Sequence, residues 1–296
     1  MKIKRISILI LIISMVTGLF ADEKISIAGT VEWDSMEIKA SVSLDLASTG
    51  LRLPSGRTLG EVYLNSGYLR LMCPNILSLQ ADSSSTIADL VDRGELNLYE
   101  VEAFALSASA VPPALSQDML FMTSSYTMSV SGISSALLRH SRVTEVPRTL
   151  TPVSTAGYTG IIIIAVDYLP VHGMRSAALA QPCLFPKIWD SEMNLLYERT
   201  MLEARNRPMV HYTVESEIFQ SNPSGVSDDL QKIVGDRPLR IFATGVFGMS
   251  PTDLIIDVND AMLIISSDVN RRLLSEGKVA VILNESVLKQ EFRFDE

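Results

Sequence analysis

The sequence predicts an α+β protein, with mixed β-sheets and packed helices and not a regular doubly wound sheet. Three observations carry this. Stretches of apolar and polar alternation recur along the chain, segments of helical spacing interleave with them, and the two kinds follow no regular strand-helix-strand repeat. A chain of 296 residues, 47% hydrophobic and 20% charged, can bury one large core or two modest ones.

The order of elements begins with a leader. Lys2, Lys4 and Arg5 precede an apolar run from Ile6 to Phe20, then Ala21 and the acidic pair Asp22-Glu23. This reads as a secretory signal peptide over residues 1–21, cleaved near Ala21. A retained anchor is the rival reading, but a span needs about 20 uninterrupted apolar residues and this run is shorter, with Ser14 and Thr17 inside it. The expected product is periplasmic and has no stable transmembrane span.

EKISIAGTVEWD and MEIKASVSLDL then alternate as neighbouring strands, with Ile38, Ala40, Val42 and Leu44 on one face. LPSGRTLGEVYLNSGYLRLM changes to helical spacing through Leu59, Val62, Tyr63, Leu69 and Met72, with Ser55 as N-cap and a soft middle at Asn65-Ser66-Gly67. Asp82 to Ser85 caps a short helix that Gly94 ends. Residues 95–110 read as a helix until Pro112-Pro113 forbid it. DMLFMTSSYTMSV returns to alternation, and a short helix follows over 131–139.

Pro147, Pro152 and Gly157 mark a connection. It divides the mature chain into regions 22–150 and 151–296, or is a loop within one domain. Residues 158–166 read as a strand buried on both faces, because a continuous β-branched run leaves no solvent-facing position. Phe185, Ile188, Trp189, Leu195 and Tyr197 suggest two extended segments around a polar turn, and residues 209–219 alternate as a strand. LRIFATGVFG and DLIID are strands, NDAMLIIS and VNRRLLSEG are helices, and KVAVIL is expected to be the final strand.

Charge excludes one class of function. The net charge is −9, and −12 once the three leader bases are gone, so the surface repels phosphate backbones, and nucleic acid is not an expected partner. The chemistry-bearing residues assemble into no recognised motif. Asp167 and His172 are the candidates for a general base with its orienting acid, and Ser176 or Cys183 would be the nucleophile. Against this stands an ordinary exit loop whose histidine caps a backbone group. Asp253, Asp257 and Asp260, with Asn259, could hold a hard cation, although the calcium-loop glycine and distal glutamate are absent and helix capping explains Asp257 and Asp260.

Asp228-Asp229 could serve two-metal chemistry but sits in a Pro/Gly/Ser segment, where a solvated loop or a cap is the simpler reading. Arg57 and Arg271-Arg272 could bind an anion at a helix end or form ion pairs along a helix face. His140 and His211 stand alone. Cys73 and Cys183 could form a disulfide or remain buried thiols, since pairing depends on a distance that sequence does not give. No metal or cofactor is expected.

The segments YTGIIIIAVDYLPVHG, QPCLFPKIWDSEMNLLYE and VGDRPLRIFATGVFGMSPTDLIIDVNDAMLIISSDVNRRLLSEGKVAVIL carry a resemblance. Over most of the mature chain the sequence looks like a group of exported spirochaete envelope proteins of undefined role. More distantly, over residues 158–283, it resembles periplasmic and outer-membrane-associated proteins related to flagellar basal-disk lipoproteins. That resemblance implies a periplasmic, non-catalytic protein assembling with envelope or flagellar protein partners, although the lipoprotein cysteine is missing and an extra loop holds His172. Some members of the first group carry a polymerase label, which the residues here do not support. The alternatives are a hydrolase using Asp167 and His172, or a cation or small-ligand binder.

Overall fold

The alternation in residues 25–45 forms an antiparallel hairpin, β1 (Ile25–Glu32) and β2 (Glu37–Asp45). These positions come from a computed structural model that describes residues 25–52, 54–203, 207–221 and 223–295; the expected leader over 1–21 lies outside them. Ile38, Ala40, Val42 and Leu44 are all buried, as the alternation requires. Burying each of the larger side chains contributes about 1.5–3 kcal/mol.

The chain continues through α1 (Leu46–Thr49), α2 (Arg57–Ser78), β3 (Gln80–Asp82), β4 (Ser85–Thr86), α3 (Ile87–Asp92) and α4 (Leu98–Leu106). Then come β5 (Ser109–Ala110), β6 (Ala114–Leu115), β7 (Phe121–Ser129) and α5 (Val130–Leu137). β7 pairs with β2, and β5 and β6 pair with the far side of β7.

α2 differs from its sequence reading. It starts after Gly56, which donates no side-chain cap, and the Ser55 hydroxyl instead donates to the Arg52 carbonyl at 3.1 Å. The helix runs without a break through Asn65-Ser66-Gly67 and Pro74. Gly67 is a contact point: a Cβ there would lie 2.6 Å from Ile25 Cδ1, so its absence lets the helix settle onto β1. That seat turns Leu59 and Val62 outward and buries Leu64, Tyr68, Leu71 and Ile76. Tyr68 stacks on Tyr126 of β7 at 3.8 Å and donates its hydroxyl to the Ala105 carbonyl at 3.1 Å.

The next two helices also start later than the composition implied. Thr86 caps α3 and Asn97 caps α4, each in a reciprocal box with Asp89 or Glu100, and the box fixes the first turn.

After an irregular connection, the second part holds β8 (Ile161–Ala165), β9 (Leu169–Pro170), β10 (Ala177–Ala178), β11 (Ile188–Asp190), β12 (Leu195–Tyr197) and β13 (His211–Thr213). α6 (Asp228–Val234), β14 (Leu239–Phe247), β15 (Asp253–Ile256), α7 (Val258–Ile265), α8 (Asp268–Ser275), β16 (Val279–Leu283) and α9 (Glu285–Leu288) follow. The sheet order is β12-β11-β15-β14-β8-β16-β13. It is mixed, with β8 between parallel β14 and β16 and with β15 antiparallel to β14. β8 is a central strand covered on both faces. Ile161 and Ile163 enter the main core, and Ile162 joins a smaller cluster with Ile218, Val226, Leu230 and Val234. The architecture is α+β.

Two sequence features meet at the start of that strand. Thr159 donates its hydroxyl to the Val234 carbonyl at 2.8 Å, and Arg237 N donates back to that hydroxyl at 2.9 Å. Gly160 lies against Val234, where a Cβ would come within 2.4 Å of its Cα, and Gly235, at φ +75°, accommodates Thr159. The TG before the isoleucines and the G-D-R-P before β14 are thus two halves of one clasp.

KVAVIL is not the last strand. Residues 289–295 form β17 (Lys289–Asp295), which returns to the first sheet and pairs antiparallel with β1, giving the order β17-β1-β2-β7-β5. Its alternating charges conceal it in the sequence.

Candidate functional site

The loop after β8 is held firmly. β9 and β10 pair as a small hairpin, Val171 bridges to Val246 of β14, and His172 N donates to the Val246 carbonyl at 2.8 Å. Gly173, at φ +78°, supplies the left-handed turn at its tip. The imidazole of His172 is exposed and meets Phe247 edge-on at 5.8 Å.

Hydrogen bonding does not link the candidate groups of this loop to one another. Asp167 is exposed, and no hydrogen bond joins it to His172. The Ser176 hydroxyl makes a 4.0 Å contact with the Met174 sulfur and none with His172. Cys183 is fully buried, and burial pushes its thiol up to about 12, which keeps it protonated. General-base chemistry needs such groups within hydrogen-bond reach, and in this structure no hydrogen bond joins them.

The acidic set near residue 253 is divided between two tasks. Asp257 caps α7, its carboxylate accepting from Asn259 N and Asn259 Nδ2, both at 2.8 Å. Asp260 lies in the first turn of that helix, with its carboxyl raised by burial and by Asp257. Asp253 is buried completely. Its Oδ2 accepts from Ser83 Oγ at 3.0 Å and Trp189 Nε1 at 3.2 Å, and its Oδ1 accepts from Lys187 N at 3.1 Å. Burial raises this carboxyl and the three hydrogen bonds oppose the shift. Among the described residues, no group of three or more His, Cys, Asp or Glu side chains could hold a metal ion.

Asp228 and Asp229 begin α6 behind the Ser227 cap, and Asp229 pairs with Lys232 at 2.6 Å, so both favour the helix N-terminus. Arg57 pairs with Glu61 one turn on, at 3.2 Å. Arg271 donates to the Ile265 carbonyl and pairs with Asp268, while Arg272 faces a cleft of about 290 Å³ with Arg148, Glu145 and Glu203. His140 Nε2 meets the Leu202 carbonyl at 3.1 Å. His211 on β13 is held down to about 4 by burial and by Arg207. Cys73 and Cys183 are both free thiols in the structure.

Sequence reasoning missed how these residues connect the two sheets. The β3-β4 hairpin of the first part inserts into the second: Leu184 N donates to Gln80 O, Phe185 N to Ala81 O and Ser250 N to Ser83 O. Gly248, at φ +113°, leaves room for Ser83, which a Cβ would approach within 2.3 Å. Arg199 donates to Glu95 at 2.7 Å across the same junction and lies over the Phe185 ring. Beside them is a cleft of about 430 Å³ lined by Glu95, Arg139, His140 and Arg199, in which Arg139 pairs with Glu100. A continuous series of contacts therefore runs from the exposed loop inward: His172, Phe247, Trp189, Asp253 and Ser83.

Residues 24–136 match a family profile described as Treponema pallidum Tp0624, N-terminal domain, and residues 160–285 match one described as Treponema pallidum Tp0624, second domain. The two matches take the first sheet up to α5 and the second sheet through β16. No curated protein matches the chain. No helix among the described residues is long and apolar enough to cross a membrane.

Proposed function

Taking the chain as a member of the spirochaete family to which Tp0624 belongs, we propose that it is an exported, periplasmic binding and assembly protein without catalytic activity of its own. Its contact surface is the loop from Asp167 to Pro182, and its partners are proteins of the cell envelope or of the flagellar apparatus.

One observation carries this reading. Tyr168 and Met174 are 71% and 61% exposed on a loop whose backbone is bonded to β14. Large apolar side chains on a rigid mount suit docking more than solvation, since the backbone has no ordering cost left to meet on binding. The net negative charge is consistent with a protein partner and opposes an anionic polymer or lipid.

Cell fractionation with mass determination of the mature N-terminus tests the compartment: a cytoplasmic pool with an intact leader refutes it. Cosedimentation with isolated flagellar basal bodies tests the setting, and absence from that fraction removes it. Replacing Tyr168 and Met174 with serine is expected to abolish partner recovery while leaving the melting temperature unchanged; recovery at the wild-type level rejects the loop.

A further inference from the structure

We propose that the outer edge of β17 is a self-association surface, at which a second copy of this chain adds its own β17 antiparallel and joins the two first sheets across a two-fold axis. β17 ends the sheet, and among the described residues no strand pairs with its outer side. Alternate backbone N–H and C=O groups along it therefore face outward with no strand to receive them.

The side chains decide what fits. Lys289, Glu291 and Arg293 are exposed on the solvent face, beside Glu32, Thr30 and Ala28 of β1. Charges on an edge strand ordinarily prevent such pairing, and they do so when a copy of the edge meets like charge with like. Here the pattern has the opposite effect. A two-fold centred on Phe292 sets Glu291 against Arg293 of the second copy, and the symmetry makes that pair twice. It also sets Gln290 against Phe294 and Phe292 against its own copy. Moving the centre by one residue, to Glu291, would place Lys289 opposite Arg293, so the charges select the Phe292 register.

The apolar side of the strand agrees with this. Phe292 lies over Gly29, where a Cβ would come within 2.5 Å of its ring, and Phe294 is 45% exposed on the same face. Antiparallel addition of a second copy would bring the four phenylalanines of the two strands side by side and reduce that exposure. A seam of seven residues is about 23 Å long, at the small end of specific interfaces, so the expected dimer is concentration-dependent.

Sedimentation velocity on the purified chain from about 1 µM to about 1 mM tests the idea. The wild type should dimerise reversibly, and less at high salt. E291R alone and R293E alone should each weaken self-association by about tenfold or more, because each makes both cross-strand pairs repulsive. An equimolar mixture of the two variants should associate again, since every pair then joins opposite charges, and so should the double variant E291R/R293E. The mixture and the double variant serve as internal controls for folding. A wild type that stays monomeric throughout overturns the proposal, as do single variants that dimerise like the wild type or a mixture that does not associate.

Discussion

Replacing Gly160 with alanine should destabilise the protein by about 3 kcal/mol, because the new methyl group would sit inside the backbone of α6. Its Cβ would lie 2.4 Å from Val234 Cα and 2.5 Å from the Val234 carbonyl oxygen. Ordinary contact is about 1 Å longer, and backbone atoms cannot swing aside as a side chain can, so either the last turn of α6 or the start of β8 has to move. Overpacking of this kind costs about 1–3 kcal/mol. Movement also loosens the hydrogen bonds from Thr159 to Val234 O and from Arg237 N to Thr159, at about 1 kcal/mol each. Relief of one term comes at the expense of the other, so the sum is not reached. Thermal unfolding followed by circular dichroism would read this as a fall of about 6–12 °C. Gly157→Ala is the control, since its Cβ would meet only Val269 Cγ1, at 3.8 Å, and should change stability by less than about 0.5 kcal/mol. Equal melting temperatures for the two variants would refute the clasp.

Three further outcomes are expected. His211 has a folded pKa of about 4 against an ordinary 6.5, so the folded state binds fewer protons between those values. Stability should be full above pH 6.5 and fall by up to about 3 kcal/mol as pH drops towards 4, with His211→Gln removing that slope in urea titrations. Asp253→Ala leaves Ser83 Oγ, Trp189 Nε1 and Lys187 N without their acceptor, and loss of the buried charge offsets part of the cost. The net destabilisation should be about 3 kcal/mol, and an unchanged urea midpoint would show that the carboxylate does not hold the junction. Cys73 and Cys183 should both titrate as thiols in denaturant without reductant, with Cys183 unreactive until the protein unfolds; a mass two hydrogens lower would reveal a disulfide instead.

Strands were the legible part of this chain. Alternation placed β1, β2 and β7, and a continuous β-branched run placed β8 at a sheet centre, because both patterns are set directly by which face is buried. Helix registers were less legible. Leu59 and Val62 read as core, but Gly67 seats α2 on Ile25 and rotates them to solvent, an effect of a missing side chain that no apolar count detects. β17 was invisible because an edge strand can carry charges on its open face. The junction was hidden for a different reason. Asp253 is bonded to a serine 170 residues away and a tryptophan 64 away, so only the folded chain reveals why that aspartate is there. The one available clue was Trp189 itself, since a half-buried indole N–H needs an acceptor.

The return of β17 to β1 also has a consequence for the order of biosynthesis. A ribosome makes residues 25–32 early and residues 289–295 late, yet these are direct neighbours in one sheet. Until the late segment arrives, β1 has an open side, and the first sheet waits while the whole second part is made. The delay costs little free energy, because closure entropy grows only with the logarithm of loop length, but it lengthens the time for which an adhesive edge is uncovered. A nascent chain stalled before Lys289 would keep that edge open.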